Sequence, residues 1–240
     1  MAVKKAELYP RRGFFGSLLE GGVTSAGKTT INASAIVNNT ARDGFGGLAV
    51  FTASPDGVTI TNSTISGNTA ISRFSGGVYS NSPSTKIYNS TIAFNQAADT
   101  RGGLVAVGLA MVGSGATARL ESTLVANNTY GALNDDLSTI NVTITGHNNL
   151  VRASSASLPA DTIVNRCPLL GPLRDNGGPT KTHALLSHSP GIDQGNNLAA
   201  LGFDQRGSPD ARVSGPAADI GAYEVQQGDI VFNNNFEGCP

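Results

Sequence analysis

Short segments of alternating apolar and polar residues recur along the first two thirds of the chain. The clearest copy reads Asn62-Ser-Thr-Ile-Ser-Gly-Asn68, and the glycine pair Gly76-Gly77 follows it after a spacer. Aligned on their central apolar residues, the copies fall at steps of 29, 27 and 32 residues, at Ile36, Ile65, Ile92 and Leu124. Repeats of this length predict a solenoid, because each unit buries its apolar side against the next one.

The internal pattern of each copy indicates β-strands. A serine stands two positions before each anchor, and the residue between them is alanine in the first copy and threonine in the others. A period of two places the serine and the anchor on one face of a strand and sends the threonine to the other. The expected outward column is Thr64, Thr91 and Thr123. Leucine-rich and helical-hairpin repeats fit poorly, because no apolar stripe recurs at helical spacing.

The residues that turn the chain also recur. An asparagine stands three positions after each anchor, as Asn39, Asn68, Asn95 and Asn127. Stacked rungs lie about 4.8 Å apart, so these structural asparagines are expected to hydrogen-bond along a column. The glycine pairs permit tight corners with positive φ. We therefore predict an all-β, right-handed parallel β-helix of the pectin-lyase-like type, with four to five coils and three strands per coil.

The repeat divides the chain into four parts. Residues 1–20 are expected to cap the first coil or to belong to a longer chain, and residues 21–153 form the coils. Residues 154–226 are expected to form an irregular C-terminal module that caps the last coils, and 227–240 a closing tail.

The C-terminal module contains a series of specific motifs. They read PLLGPL from Pro168, DNGGPT from Asp175, THALL from Thr182, DQRG from Asp204 and DIGAYE from Asp219. In them the chain resembles bacterial secreted parallel β-helix proteins that carry a choice-of-anchor module. The coils are similar to the polymorphic outer-membrane-protein type of repeat. Cys167 departs from the family pattern, which usually has aspartate before this proline. The resemblance implies a secreted or cell-surface protein, usually without an assigned reaction, although no signal peptide is visible.

Composition and charge exclude some classes of binding partner. Charged residues make up 14% of the chain, against about 25% in typical domains. The net charge of −1 favours neither nucleic acid nor an anionic membrane surface. No apolar run approaches the roughly 18 residues of a membrane helix. The three histidines lack ligand spacing, so neither a metal site nor a cofactor is predicted.

One set of charges is expected to line up across the coils. Counting back three residues from each glycine pair gives Asp43, Arg73 and Asp99, and Arg101 stands beside the third. If the pairs stack, these residues form either a surface ion-pair ladder or an edge that grips or cleaves a polysaccharide. In the second case arginines would meet uronate carboxylates, and aspartates would meet hydroxyls or Ca²⁺. These four residues are the catalytic and ligand-binding candidates, and Tyr79 joins them as a ligand-binding candidate.

Three functions stay open at this stage. The leading prediction is an extracellular or cell-surface solenoid for adhesion, scaffolding or glycan binding. A pectin-lyase-like polysaccharide lyase or hydrolase is the first alternative, although the strands after the glycine pairs carry no charge. An ice- or carbohydrate-binding flat array is the second, favoured by the outward threonines. The expected partner is a polysaccharide or another surface ligand, and the chain is expected to be a monomer or to associate end to end.

The chain has two cysteines, Cys167 and Cys239. Secreted proteins tend to pair their cysteines, so we predict a disulfide that fastens the tail to the start of the C-terminal module.

Overall fold

The computed structural model describes residues 2–4, 7–8, 21–42, 44–71, 74–98, 108–131 and 133–229, with only the backbone of 2–4, 7–8 and 134. Within these ranges every regular element is a β-strand.

The strands follow the repeat. Before the first coil lie β1 (Ala2–Lys4) and β2 (Glu7–Leu8). The first coil contains β3 (Val23–Ser25), β4 (Thr29–Asn32), β5 (Ala35–Val37) and β6 (Thr40–Ala41). The second contains β7 (Leu48–Phe51), β8 (Val58–Thr61), β9 (Thr64–Ser66) and β10 (Thr69–Ala70). The third contains β11 (Val78–Asn81), β12 (Ser84–Tyr88), β13 (Thr91–Ala93) and β14 (Gln96–Ala97). The fourth contains β15 (Leu109–Glu121), β16 (Leu124–Ala126) and β17 (Thr129–Tyr130). After them come β18 (Leu133–Asn134), β19 (Leu137–Thr145), β20 (Leu150–Val151) and β21 (Ile163–Val164).

These strands stack into three sheets, which confirms the predicted parallel β-solenoid, here of about four turns. The largest sheet has the order β1-β4-β8-β12-β15-β11-β7-β3, and β19 pairs with β15. The other two have the orders β2-β5-β9-β13-β16-β20-β21 and β18-β17-β14-β10-β6. All pairs are parallel except β17 with β18. The strands β1 and β2 add a rung to the ladders of the first coil, through β4 and β5.

Each of the first three coils has four strands rather than the predicted three. The strand after the glycines ends at a turn, and a second strand of the same sheet follows it, as β8 follows β7. In the fourth coil β15 runs through this corner without a break and so joins the two ladders. The shortest strand lies directly after the asparagine corner, not after the variable loop.

The register of the fourth repeat copy differs from the sequence alignment by one residue. Ile92 pairs with Val125, whereas the predicted anchor Leu124 pairs with Thr91. Ser122 therefore stands at the corner that Asn89 occupies one rung earlier, and both residues have positive φ. The next corner shifts too, so Asn128 continues the asparagine column in place of Asn127. Asn127 instead takes the left-handed corner position, with φ 59°.

The interior of the solenoid is a stack of aliphatic columns. One column consists of Ile31, Ile60 and Ile87, and another of Ile36, Ile65, Ile92 and Val125; all of them are fully buried. Removal of this apolar surface from water stabilises the stack, at about 25 cal/mol per Å² of buried area.

The chain beyond Val164 contains no named strand among its described residues and lies against the outer face of the β5-β9-β13-β16 sheet. Leu185 and Ile220 pack against Leu124 and Leu150 of that sheet. Gln205 accepts a hydrogen bond from Thr64 Oγ1 at 2.6 Å, and the backbone N–H of Ala222 donates to Thr91 Oγ1 at 3.0 Å.

This packing corrects the prediction of an outward threonine column. Thr64, Thr91 and Thr123 are all buried, with at most 3% of their surface exposed. The C-terminal segment covers the first two. Because the fourth copy is shifted by one residue, Thr123 stands one register position before Thr91 and Thr64, and its hydroxyl donates to the carbonyl of Ile87.

Two buried ion pairs hold the C-terminal segment together. Arg206 contacts Asp204 at 2.8 Å and lies 4.0 Å over the ring of Tyr223. Arg212 contacts Glu224 at 2.7 Å. Cys167 is disulfide-bonded, while its predicted partner, Cys239, lies outside the described residues.

Candidate functional site

The four predicted charged candidates, Asp43, Arg73, Asp99 and Arg101, lie outside the described residues. The predicted column assumes that the glycine pairs stack on one another. In the third copy the stacking differs from this assumption. Gly77 is followed along its ladder by Gly108, whose carbonyl accepts a hydrogen bond from the N–H of Val78 at 2.8 Å. The ladder therefore continues from a glycine that lies several residues after the predicted pair Gly102-Gly103.

Tyr79, the fifth candidate, belongs to an aromatic cluster formed by Phe45, Phe51, Phe74 and Tyr79. The Phe45 ring lies 4.4 Å from the Tyr79 ring and 4.8 Å from the Phe74 ring, centroid to centroid. Phe51 lies 5.4 Å from Tyr79 and 5.5 Å from Phe45. These separations fall in the range of favourable aromatic contacts. Two consecutive coils thus bring together four rings that come from different parts of the repeat.

The strand pattern explains how Tyr79 reaches this position. In β11 the side chain of Val78 enters the core, so Tyr79 points outward from the sheet. Its register partners on the two neighbouring rungs are Ala49 and Ala110. Small side chains on both sides leave room for the ring to lie over the sheet, and both alanines are fully buried.

Phe74 joins the cluster from a loop and has φ 64°. A bulky residue in the left-handed region is uncommon and costs free energy, on the order of 1–3 kcal/mol. The stacking of Phe74 on Phe45 offsets part of this cost. The sequence offers no signal for this contact, because it depends on how the loop folds back over the sheet.

The cluster is partly open to solvent, and the outward positions of its ladder carry no charge among the described residues. Phe51 exposes 39% of its surface, and burial raises the pKa of Tyr79, so its hydroxyl stays neutral. The outward positions of this ladder among the described residues are Thr24, Ala49, Phe51, Tyr79, Asn81, Ala110, Val112, Ser138 and Ile140. Such a surface suits a ligand with apolar faces and hydroxyl groups.

The second ladder of the same sheet carries a cationic pair. Lys86 and Arg119 are register partners on adjacent rungs, and both are exposed. Arg119 is held by Glu121, with its Nε and its Nη2 each 2.8 Å from Oε1. Glu121 is buried and also accepts a hydrogen bond from Asn196 at 3.0 Å. Because Glu121 offsets the charge of Arg119, the unbalanced positive charge of this pair is that of Lys86. Neither Lys86 nor Arg119 was a site candidate from the sequence.

The structure also joins Ser66 and His183, which are far apart in the chain. Nδ1 of His183 lies 2.7 Å from the carbonyl of Gly171, and Nε2 lies 2.8 Å from Ser66 Oγ. A carbonyl can only accept, so Nδ1 carries the proton and Nε2 accepts from Ser66. Burial lowers the pKa of His183 to about 4. Because both residues are buried, this neutral contact fastens the C-terminal segment to β9 and does not face a substrate.

Two further findings concern metals and membranes. Among the described residues no group of three or more His, Cys, Asp or Glu side chains is arranged to hold a metal ion. Nor does the described part of the chain contain a helix of the length and apolarity needed to span a membrane.

No family model, curated protein or solved structure matches the chain.

Proposed function

We propose that this protein is an extracellular or cell-surface solenoid that binds glycans through the aromatic cluster. The observation that carries the proposal is the set of four rings on the outer face of the β3-β7-β11-β15 ladder, in which Tyr79 lies against the other three. The opposite sheet, β5-β9-β13-β16, is covered by the C-terminal segment and leaves less room for a ligand.

The chemistry of the cluster suits sugars. The negative face of an aromatic ring attracts the weakly positive C–H groups on one face of a pyranose. A partly exposed ring such as Phe51 offers this face, and the exposed amide of Asn81, its register partner, offers hydrogen bonds to hydroxyls. The resemblance to surface-displayed β-helix proteins supports the proposed location outside the cell.

The test is retention of the full chain on a panel of insoluble neutral and acidic glycans. We expect Tyr79→Ala and Phe51→Ala each to lose most of the retention that the wild type shows. Tyr88→Ala is the matched control, since this partly exposed tyrosine lies on β12 of the same coil, outside the cluster. Thermal melting confirms that each variant is folded. Equal retention of Tyr79→Ala and wild type, or no retention of the wild type on any glycan, would overturn the proposal.

A second candidate is the binding of acidic polysaccharide by Lys86 and Arg119. Their adjacent side chains would meet uronate or sulfate groups, Lys86 as a compact charge and Arg119 through the N–H groups that do not point to Glu121. The double variant Lys86→Ala/Arg119→Ala should then lose retention on polygalacturonate while keeping retention on neutral glycans. Release of unsaturated sugars in the same assay would reveal lyase activity. Retention that depends on Tyr79 alone would exclude this candidate.

A further inference from the structure

The strand β19 leaves one edge of the largest sheet open. On one side it pairs with β15 over its whole length. On the other side, Leu137 is the one residue of β19 that is bridged to another described segment, at Ser154. Between residues 139 and 145, no backbone hydrogen bond reaches any described segment other than β15. Within the described part of the chain, the N–H and C=O groups on this side of β19 are therefore free and can template another strand.

This edge lacks the protection that terminal strands usually have. Residues 139–145 read Thr-Ile-Asn-Val-Thr-Ile-Thr, without lysine, proline or any charge, and they are rich in β-branched residues. Asn141, with φ 56°, marks the corner between the two ladders, so the straight part runs from Val142 to Thr145. Ala156 and Leu158 pack against the end of the core beside it but do not pair with it.

The side chains of this straight part alternate as pairing requires. Val142 and Ile144 are half-buried and pack against the core, while Thr143 and Thr145 are exposed on the outer side. In an antiparallel pair, directly opposite residues lie on the same face, and like residues pair favourably. A second copy of the same edge meets this condition when Thr143 is opposite its own counterpart, because Val142 then faces Ile144.

We propose that two copies of this chain associate through their β19 edges, antiparallel about a two-fold axis at Thr143. The pairing satisfies the free backbone groups of both copies and places the Val142 and Ile144 side chains of the two chains in contact. A two-fold contact uses the same surface on both copies and closes at the dimer. The uncharged edge favours a second copy over a charged partner, since it offers no ion-pairing group.

The test measures the mass of the full chain in solution over a series of concentrations. We expect the wild type to dimerise with increasing concentration and Thr143→Lys to stay monomeric, because two lysines would oppose each other at the axis. Thr143→Cys should form a disulfide-linked dimer on mild oxidation. Lys86→Cys, exposed in the middle of the solenoid, should form none.

Each other result would overturn the proposal. A wild type that stays monomeric at every concentration would contradict the proposed dimer directly. A dimer that persists in Thr143→Lys and does not cross-link through position 143 would place the interface elsewhere. Open-ended growth into filaments would indicate head-to-tail stacking rather than the closed two-fold pair. Melting curves of Thr143→Lys and wild type show whether the monomeric variant keeps its fold.

Discussion

Asn128 donates two hydrogen bonds to one oxygen of Asp136, from its backbone N–H at 2.7 Å and from Nδ2 at 2.8 Å. This contact ends a ladder of amides in which Asn39, Asn68 and Asn95 each donate to the next side chain at 2.9 Å. All four amides point the same way, so each bond polarises the next, and the carboxylate accepts at the end of the row.

Loss of this terminal acceptor should destabilise the solenoid. Asp136 is fully buried, and its other oxygen accepts from the N–H of Ala153 at 3.0 Å. Asp136→Ala would leave these donors without an acceptor, at a cost of about 2–4 kcal/mol in the free energy of unfolding. Asp136→Asn keeps one acceptor oxygen, and we expect less than half of that loss. Urea unfolding measures both, and an unchanged midpoint for Asp136→Ala would contradict the role of the ladder.

The glycine corners should reject even a methyl group. A Cβ at Gly77 would lie 2.4 Å from the carbonyl oxygen of Gly108 and 2.8 Å from Nδ2 of Asn95. Both neighbours belong to fixed rungs, so Gly77→Ala should lower stability by roughly 2 kcal/mol or more. Gly202→Ala is the control, because no atom lies within 4 Å of its Cβ position. Equal melting temperatures for the two variants would show that the corner can open.

Truncation of the central column tests the core. Ile65 is fully buried and lies between Ile36 and Ile92 on adjacent rungs. Ile65→Ala should cost about 2–5 kcal/mol, from lost burial and the cavity left behind. Thr59→Ala, on the outward side of β8, should change stability by roughly 0.5 kcal/mol or less. A small loss for Ile65→Ala, as measured by denaturant unfolding, would contradict this packing.

The docking of the C-terminal segment should weaken in acid because of His183. Its pKa is about 4 in the folded protein, because burial disfavours the charged ring, and about 6.5 when unfolded. The unfolded chain therefore binds more protons between these values, so stability falls as the pH drops from 6.5 towards 4. At pH 5 the expected loss relative to pH 7 is about 1–2 kcal/mol.

The pH dependence of stability is compared between the wild type and His183→Gln, which keeps polar contacts but does not titrate. Burial raises the pKa of Asp135 and Asp136 to about 6, and these carboxyls give an opposite slope over part of the same window. The difference between the two stability curves isolates the contribution of the histidine. Parallel stability curves for the two proteins from pH 7 to pH 5 would refute the assignment.

Much of the solenoid could be predicted because its physics is local. The period of two in Asn62–Asn68 and the fully buried Ile65 agree, since an alternating strand must place one face in the core. The asparagine column was predicted for Asn39, Asn68 and Asn95, and the amides do bond along it. The fourth copy was misaligned because Ser122 is similar in type to Ser90 but occupies the corner of Asn89, which only the register reveals.

The repeat, the strand faces and the asparagine corners of the first three copies follow from the amino-acid pattern, because each depends on neighbours within one coil. Tertiary structure decided which faces meet solvent. Thr64 and Thr91 look outward in any single strand, yet a segment more than a hundred residues later covers them through Gln205 and Ala222. The cluster around Tyr79 likewise joins Phe45, Phe51 and Phe74 from two coils. No local pattern encodes such contacts, since they follow from how coils stack and where the irregular chain lies across them.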